Sequence, residues 1–317
     1  MAKYRNRLPQ MQDDLFLTDG GLETWLCFQQ GIDLPEFASF PLIDTAEGRT
    51  RIVSYMEHYI RIALVERTGF ILETPTWRAN SDWGSKLGYD GDALYRVNVE
   101  AVGLMAELRD TYETPGTPMV ISGNIGPRGD GYNPQELLTA QEAERYHAPQ
   151  IRAFSRSQAD LVTALTVTHP GEAIGIVRAA QAHHIPVVIS FTTETDGRLP
   201  DGTSLADAIN AVDNGTEKGA AYFMINCAHP THFQSALAAG ENWVARIRGI
   251  RANASTRSHE ELDNSEALDE GNPAELGQQY LALRRAFPHF TVLGGCCGTD
   301  HRHVACIGQA CRRKAAA

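Results

Sequence analysis

Three observations predict an α/β fold, a (β/α)8 TIM barrel. The chain has 317 residues, the usual span of one such barrel. Eight short β-branched or apolar runs each precede a helix-length segment. The chemically unusual residues gather just after those runs, where barrel active sites lie. The expected span is one domain, 1–317, with residues 1–13 as a polar N-terminal extension and a metal site at the C-terminal ends of the strands.

In chain order, the strand-like runs are Leu15–Thr18, Gly69–Leu72, Met119–Ser122 and Leu161–Leu165. Val187–Phe191, Tyr222–Ile225, Val244–Ile250 and Phe290–Leu293 complete the set. Buried parallel strands read as continuous apolar runs like these. Apolar residues at three- and four-residue spacing mark helices over Ile52–Arg67, Leu94–Tyr112, Glu172–His183 and Ala274–Phe287. Thr203-Ser204 reads as the N-cap of a helix over Leu205–Lys218, and Pro273 suits a first helical position. His183-His184, before Pro186, reads as a helix end. Asn253–Asn272 is a long polar loop after the seventh run, of the kind that forms a lid or an excursion.

Composition narrows the function. The net charge is -11 with no basic cluster, which argues against nucleic acid as partner. No apolar stretch reaches membrane-spanning length, so no membrane partner is expected. Met1–Gln12 is polar and lacks the apolar core of an export signal, so the expected compartment is the cytoplasm. Six cysteines in this length do not form a disulfide framework. In a reducing compartment Cys296 and Cys297 are expected as thiolates or metal ligands. A homo-oligomer is compatible with all of this.

The adjacent pair in Gly294-Gly295-Cys296-Cys297-Gly298 ends the eighth run, and Asn226-Cys227 ends the sixth. Three thiolates at strand ends suit zinc and leave one position open, the mark of a catalytic rather than a structural site. Their charge weakens Lewis acidity but keeps a bound substrate thiolate nucleophilic, which favours alkyl transfer to sulfur over water activation. The plainer alternative is three small buried cysteines. Gly294 and Gly295 are expected to let the backbone turn so that both thiols face one metal.

Asp19, in Asp19-Gly20-Gly21, reads as a carboxylate at a tight turn able to bind an ammonium, or as a helix cap. Thr74 and Asn253 are candidate polar liners, and Glu73 and Glu194 candidate supporting or solvated carboxylates. Gly123-Asn124-Ile125-Gly126-Pro127 lacks the Gly-Lys-Ser/Thr ending of a phosphate loop and reads as a rigid wall of the pocket. His301 and His303 follow the cysteine pair, but Thr299-Asp300 reads as a helix cap that places both on the last helix. Cys27, Cys306 and Cys311 sit in helix-like stretches and read as packing or surface thiols. Trp25, Trp77 and Trp83 are candidates to hold an onium group on their faces, or core residues.

From Leu15 to Ile307 the chain resembles the homocysteine S-methyltransferase family. The strongest marks are Thr18-Asp19-Gly20-Gly21, Asn226-Cys227 and Gly294-Gly295-Cys296-Cys297-Gly298-Thr299. The resemblance implies a barrel in which Cys227, Cys296 and Cys297 bind zinc and Asp19 lies in the amino-acid pocket; Gly20, Gly21, Thr74, Asn226 and Asn253 are expected beside it as substrate-binding residues. It implies methyl transfer to a thiol, homocysteine giving methionine, from S-methylmethionine, S-adenosylmethionine or betaine. No catalytic group beyond the metal-bound substrate thiolate is implied.

The chain departs from the family at one place. The family's fourth strand ends in a Glu that helps hold the acceptor's amino group, and here Leu165 falls at that position. Losing a charged partner costs about 1.5–3 kcal/mol of binding if nothing replaces it. Three readings therefore stand: homocysteine as acceptor, a different thiol or an onium demethylation, and a non-catalytic zinc- or thiol-binding barrel.

Overall fold

The computed structural model describes residues 2–131, 137–237, 240–265 and 267–312. The rest of the expected 1–317 span lies outside the described residues. Eight parallel strands close into one barrel in sequence order. They are β1 (Phe16–Leu17), β2 (Gly69–Glu73), β3 (Met119–Ile125), β4 (Leu161–Val167), β5 (Val187–Phe191), β6 (Tyr222–Asn226), β7 (Ile247–Ala252) and β8 (Val292–Gly295). The helices that follow them are α1 (Ala46–Glu66), α2 (Gly91–Tyr112), α3 (Ala140–Ser155), α4 (Pro170–Ala182), α5 (Leu205–Gly215), α6 (Pro230–Phe233), α7 (Pro273–Ala286) and α8 (His301–Arg312). Among the described residues no helix is long and apolar enough to cross a membrane.

The helix starts are chemically specified. Thr45, Asp90, Thr139, Ser204 and Asn272 each accept a backbone N–H of the first turn, and Thr139 closes a capping box with Glu142. Pro273 opens α7 as expected. The seventh strand departs from expectation. Val244 is apolar, but it belongs to a 3-10 turn, Val244–Arg246, and the strand begins at Ile247 and runs on to Ala252. The expected boundary at Ile250 thus left Arg251 outside the strand. The expected open loop of 253–272 carries its own helix, His259–Asp263, capped by Ser258.

Strand residues alternate between the barrel interior and the helix layer. Phe16, Ile71, Val120, Leu161, Val188, Tyr222, Met224 and Val292 form one apolar cluster inside the barrel, and Leu8 packs onto it. The N-terminal segment is therefore a plug, not a loose extension. Leu8 and Gln10 are buried beneath the barrel. Arg5 donates to the carbonyls of Phe154, Ser155, Ser157 and Ala159 at the end of α3. Tyr4 N–H donates to Asp160 Oδ1 at 2.7 Å.

Asp160 is the clasp of this closure. Wholly buried, it also accepts from Ile121 N–H at 2.9 Å and pairs with Arg109 at 2.8 Å. Removing one partner of a buried pair leaves the other charge uncompensated. Asp160→Ala should therefore lower unfolding free energy by about 3–5 kcal/mol in urea titrations. A loss below about 1 kcal/mol would show that the clasp is not built this way.

Candidate metal centre and active site

Two residues beyond most of the apolar interior positions, the period of two brings a polar residue onto the same interior face. Ile71 is followed by Glu73, Val120 by Ser122, Leu161 by Thr163, Val188 by Ser190 and Met224 by Asn226. Gly249 pairs in register with Val292, so Arg251, paired with Gly294, also points inward. A buried polar layer thus lies on the apolar one. Ser122 and Thr163 hydroxyls meet at 2.7 Å, and Ser190 Oγ donates to Asn226 Oδ1 at 2.6 Å. Above this layer opens a cavity of about 480 Å3.

Cys227, Cys296 and Cys297 line that cavity, their sulfurs all within 4.8 Å of one another. Backbone bonds fix them: Cys227 N–H donates to Arg251 O, Cys296 N–H to Ala252 O, and Ala254 N–H to Cys297 O. Gly294 and Gly295 are not the turn that the sequence suggested. They are strand residues, and a Cβ on them would collide with the Thr18 and Thr299 hydroxyls, so their role is close approach of two loops. The left-handed backbone falls at Cys227 (φ 54°) and Gly298 (φ 76°).

The three residues are of a type and closeness that could hold a metal once reduced, and one pair already has the spacing. A tetrahedral centre with sulfur bonds near 2.3 Å holds thiolates about 3.8 Å apart, and Cys227 and Cys297 Sγ are 3.8 Å apart. The expectation that Cys296 is a thiolate or ligand is corrected in one respect, because the structure pairs Cys227 with Cys296 as a disulfide. Thiols gathered closely enough to share one metal are close enough to oxidise onto each other.

Behind the cysteines sits an ion cluster that the sequence reading missed. Arg251, 3% exposed, donates through Nη2 to Asp19 Oδ1 at 2.7 Å and to Gly20 O, and through Nε to Gly295 O at 3.0 Å. Its Nη1 lies 3.5 Å from Glu73 Oε1. Asp19 also accepts from Tyr55 Oη at 3.2 Å. Burial raises the Asp19 carboxyl, against the pull of Arg251. Burial pushes Glu73 further, up to about 8, with Arg251 opposing and Asp19 adding to the rise. The signal was the parity of Arg251 with Gly249, which only the true strand end reveals.

The other expected residues divide. Gly20, Gly21, Thr74 and Asn253 line the cavity. Gly21 N–H is taken by Thr299 O, and Thr74 Oγ1 accepts from Asn124 N–H, so both brace neighbouring loops. Asn253 Nδ2 donates to Cys227 O at 3.0 Å. Asn226 is fully engaged: it accepts from Thr166 N–H and Ser190 and donates to Thr166 Oγ1 and toward Cys296 Sγ. It ties the end of the fourth strand to the cysteine cluster. There the register shifts between Ala164 and Val167, with Thr166 at φ 63°, and Leu165 lines the cavity wall.

His301 and His303 stand on α8 as expected. His303 is buried between Asp300 and the Glu270 carbonyl, while His301 stacks on His58. Glu194 is outside the cavity lining. Trp25 packs on Tyr55, and the Arg78 guanidinium lies 3.9 Å from the Trp83 centroid and 5.1 Å from that of Trp77, which alone of the three lines the cavity. The loop after β7 supplies His259, Leu262, Ser265, Ala267, Leu268 and Asp269 to the cavity wall.

A family model described as homocysteine S-methyltransferase matches residues 16–311. The chain is 24% identical over 219 residues to the homocysteine S-methyltransferase YbgG of Bacillus subtilis, which covers 64% of this chain and 67% of that protein. Its fold is similar to that of the homocysteine methyltransferase MmuM of Escherichia coli. The oxidized form gives a TM-score of 0.75 at 20% identity over 95% of this chain and 97% of that one. The metallated form gives 0.72 at 19% identity over 96% and 98%.

The Glu73 environment sets a pH dependence. A folded-state value of about 8 against an ordinary 4.5 means the folded chain holds a proton that the unfolded chain has released. Stability from this group is therefore lost as pH rises from about 4.5 to about 8 and is flat above. In reduced, metal-free protein, Glu73→Gln should flatten the fall of Tm across that window. An unchanged slope would contradict a protonated Glu73.

Proposed function

Because the chain belongs to the homocysteine S-methyltransferase family of enzymes, we propose that it is a zinc-dependent enzyme moving a methyl group from a small sulfonium or ammonium donor to a thiol, homocysteine giving methionine. The observation that carries this reading is the trio of cysteine sulfurs within 4.8 Å at one wall of a cavity. Cys227, Cys296 and Cys297 would hold the zinc and leave a position for the acceptor. Zinc bound there supplies one thing, a lowered thiol pKa that keeps the acceptor a thiolate at neutral pH.

The chain's own residues then orient and exclude water. The acceptor sulfur takes the methyl in line, and the donor leaves as a neutral thioether or tertiary amine, so no general acid is needed. The cavity wall suits a cationic donor: Asp19, Glu23, Glu73, Asp130 and Asp269 face it, against Arg78 and Arg251. These carboxylates attract the onium group, beside the rings of Phe28, Phe37 and Trp77 in the same wall. Partners are small molecules, and a site that works only with reduced cysteines suits the cytoplasm. A second reading, a different thiol as acceptor, is favoured by Leu165 in the cavity wall.

Reduced protein should bind about one zinc per chain and form methionine from homocysteine with S-methylmethionine, S-adenosylmethionine or betaine. Cys296→Ser and Cys297→Ser should each lose most of the metal and the turnover. Bound zinc with no methionine from any donor would overturn homocysteine as acceptor, and full metal retention in both variants would overturn the ligand assignment.

A further inference from the structure

We propose that Glu73, at the end of β2, receives the ammonium of an α-amino thiol acceptor, replacing the carboxylate that β4 does not supply at Leu165. The inference rests on the methyltransferase reading above and names how that site tells its acceptor from other thiols.

Several buried groups of the cavity lack partners. Glu73 is 3% exposed, lines the cavity, and its Oε2 has no hydrogen-bond partner among the described residues. The same holds for Asn124 Oδ1 and Asn253 Oδ1 in the same cavity wall. Buried acceptors without partners are rare in native proteins, and three in one cavity call for a ligand rich in donors. An ammonium carries three N–H donors and no acceptor. Arg251 Nη1, in the same wall, also lacks a hydrogen-bond partner and lies 3.5 Å from Glu73 Oε1. Three acceptors beside this guanidinium are the polar complement of an amino-acid head group, with the carboxylate meeting the guanidinium.

Charge points the same way. Asp19 is committed to Arg251 at 2.7 Å and to Tyr55. Two buried carboxyl groups thus share one guanidinium, and a ligand ammonium that takes the place of the Glu73 proton balances the cluster. The fourth strand cannot provide that balance. Its bulge turns Leu165 into the cavity wall, and the adjoining Thr166 is tied to Asn226 by two bonds of 2.9 Å. The amino-binding carboxylate has in effect moved from the fourth strand to the second.

The test compares homocysteine with 4-mercaptobutanoate, the same thiol without its amino group, by calorimetry on reduced, zinc-loaded protein. Wild type should bind homocysteine more tightly. Glu73→Gln should weaken homocysteine about 10- to 100-fold while leaving 4-mercaptobutanoate, zinc content and the far-ultraviolet spectrum unchanged. Adding Leu165→Glu to that variant should restore much of the loss. Asn124→Leu leaves the ion cluster intact, and it should give a smaller loss of about fivefold in the same amino-selective sense. That arm decides the matter if Glu73→Gln does not fold. Equal weakening of both thiols, or retained preference for homocysteine in Glu73→Gln, overturns the inference while the functional reading stands. No binding of either thiol by zinc-loaded wild type overturns both.

Discussion

One buried guanidinium organises the catalytic end of this barrel. Arg251 leaves β7 and reaches the loops after β8 and β1 and the end of β2, through Gly295 O, Gly20 O, Asp19 and Glu73. Those are the segments that carry or abut the cysteine pair. A charge this deep is tolerated because it is paired and hydrogen-bonded on several sides. Its cost is recovered as geometry: the cysteine-bearing turn cannot drift from the first strand without stranding the charge. The cysteine cluster is held from behind by electrostatics and from the side by backbone bonds to β7.

The same interaction links fold and chemistry. The lower barrel is apolar and is sealed by the N-terminal plug, while the layer above it is polar and hydrogen-bonded. The change occurs within two residues along most strands, so one strand both builds the core and furnishes the cavity floor. A low-dielectric base strengthens every charge interaction above it. That setting raises the Glu73 carboxyl even with Arg251 3.5 Å away, and it makes a further cation valuable there.

Much of this was readable in the residues. Parallel strands buried on both faces are apolar runs, and cysteines at the ends of two of them stand out by type alone. The seventh strand shows the limit. Val244 to Ile250 looks like one strand, and nothing local separates Arg248 from Arg251 as charged interruptions. The difference is parity: an odd spacing sends the two to opposite faces, and the strand's true end at Ala252 puts Arg251 inside. Leu165 shows another limit, since a bulge alters facing without leaving a mark in the sequence. Gly294 and Gly295 were rightly singled out for the wrong reason, because close approach and tight turning both select glycine.

The sealed base of the barrel also has a kinetic meaning. With Leu8 and Gln10 closing the lower end, traffic passes through the loops at the strand C-termini. A molecule seated on the floor enters before, and departs after, whatever rests above it. On the methyl-transfer reading proposed above, a thiol seated on the floor would enter before the donor and leave after it. The plug at the opposite end of the molecule then bears on the order of arrivals at this site.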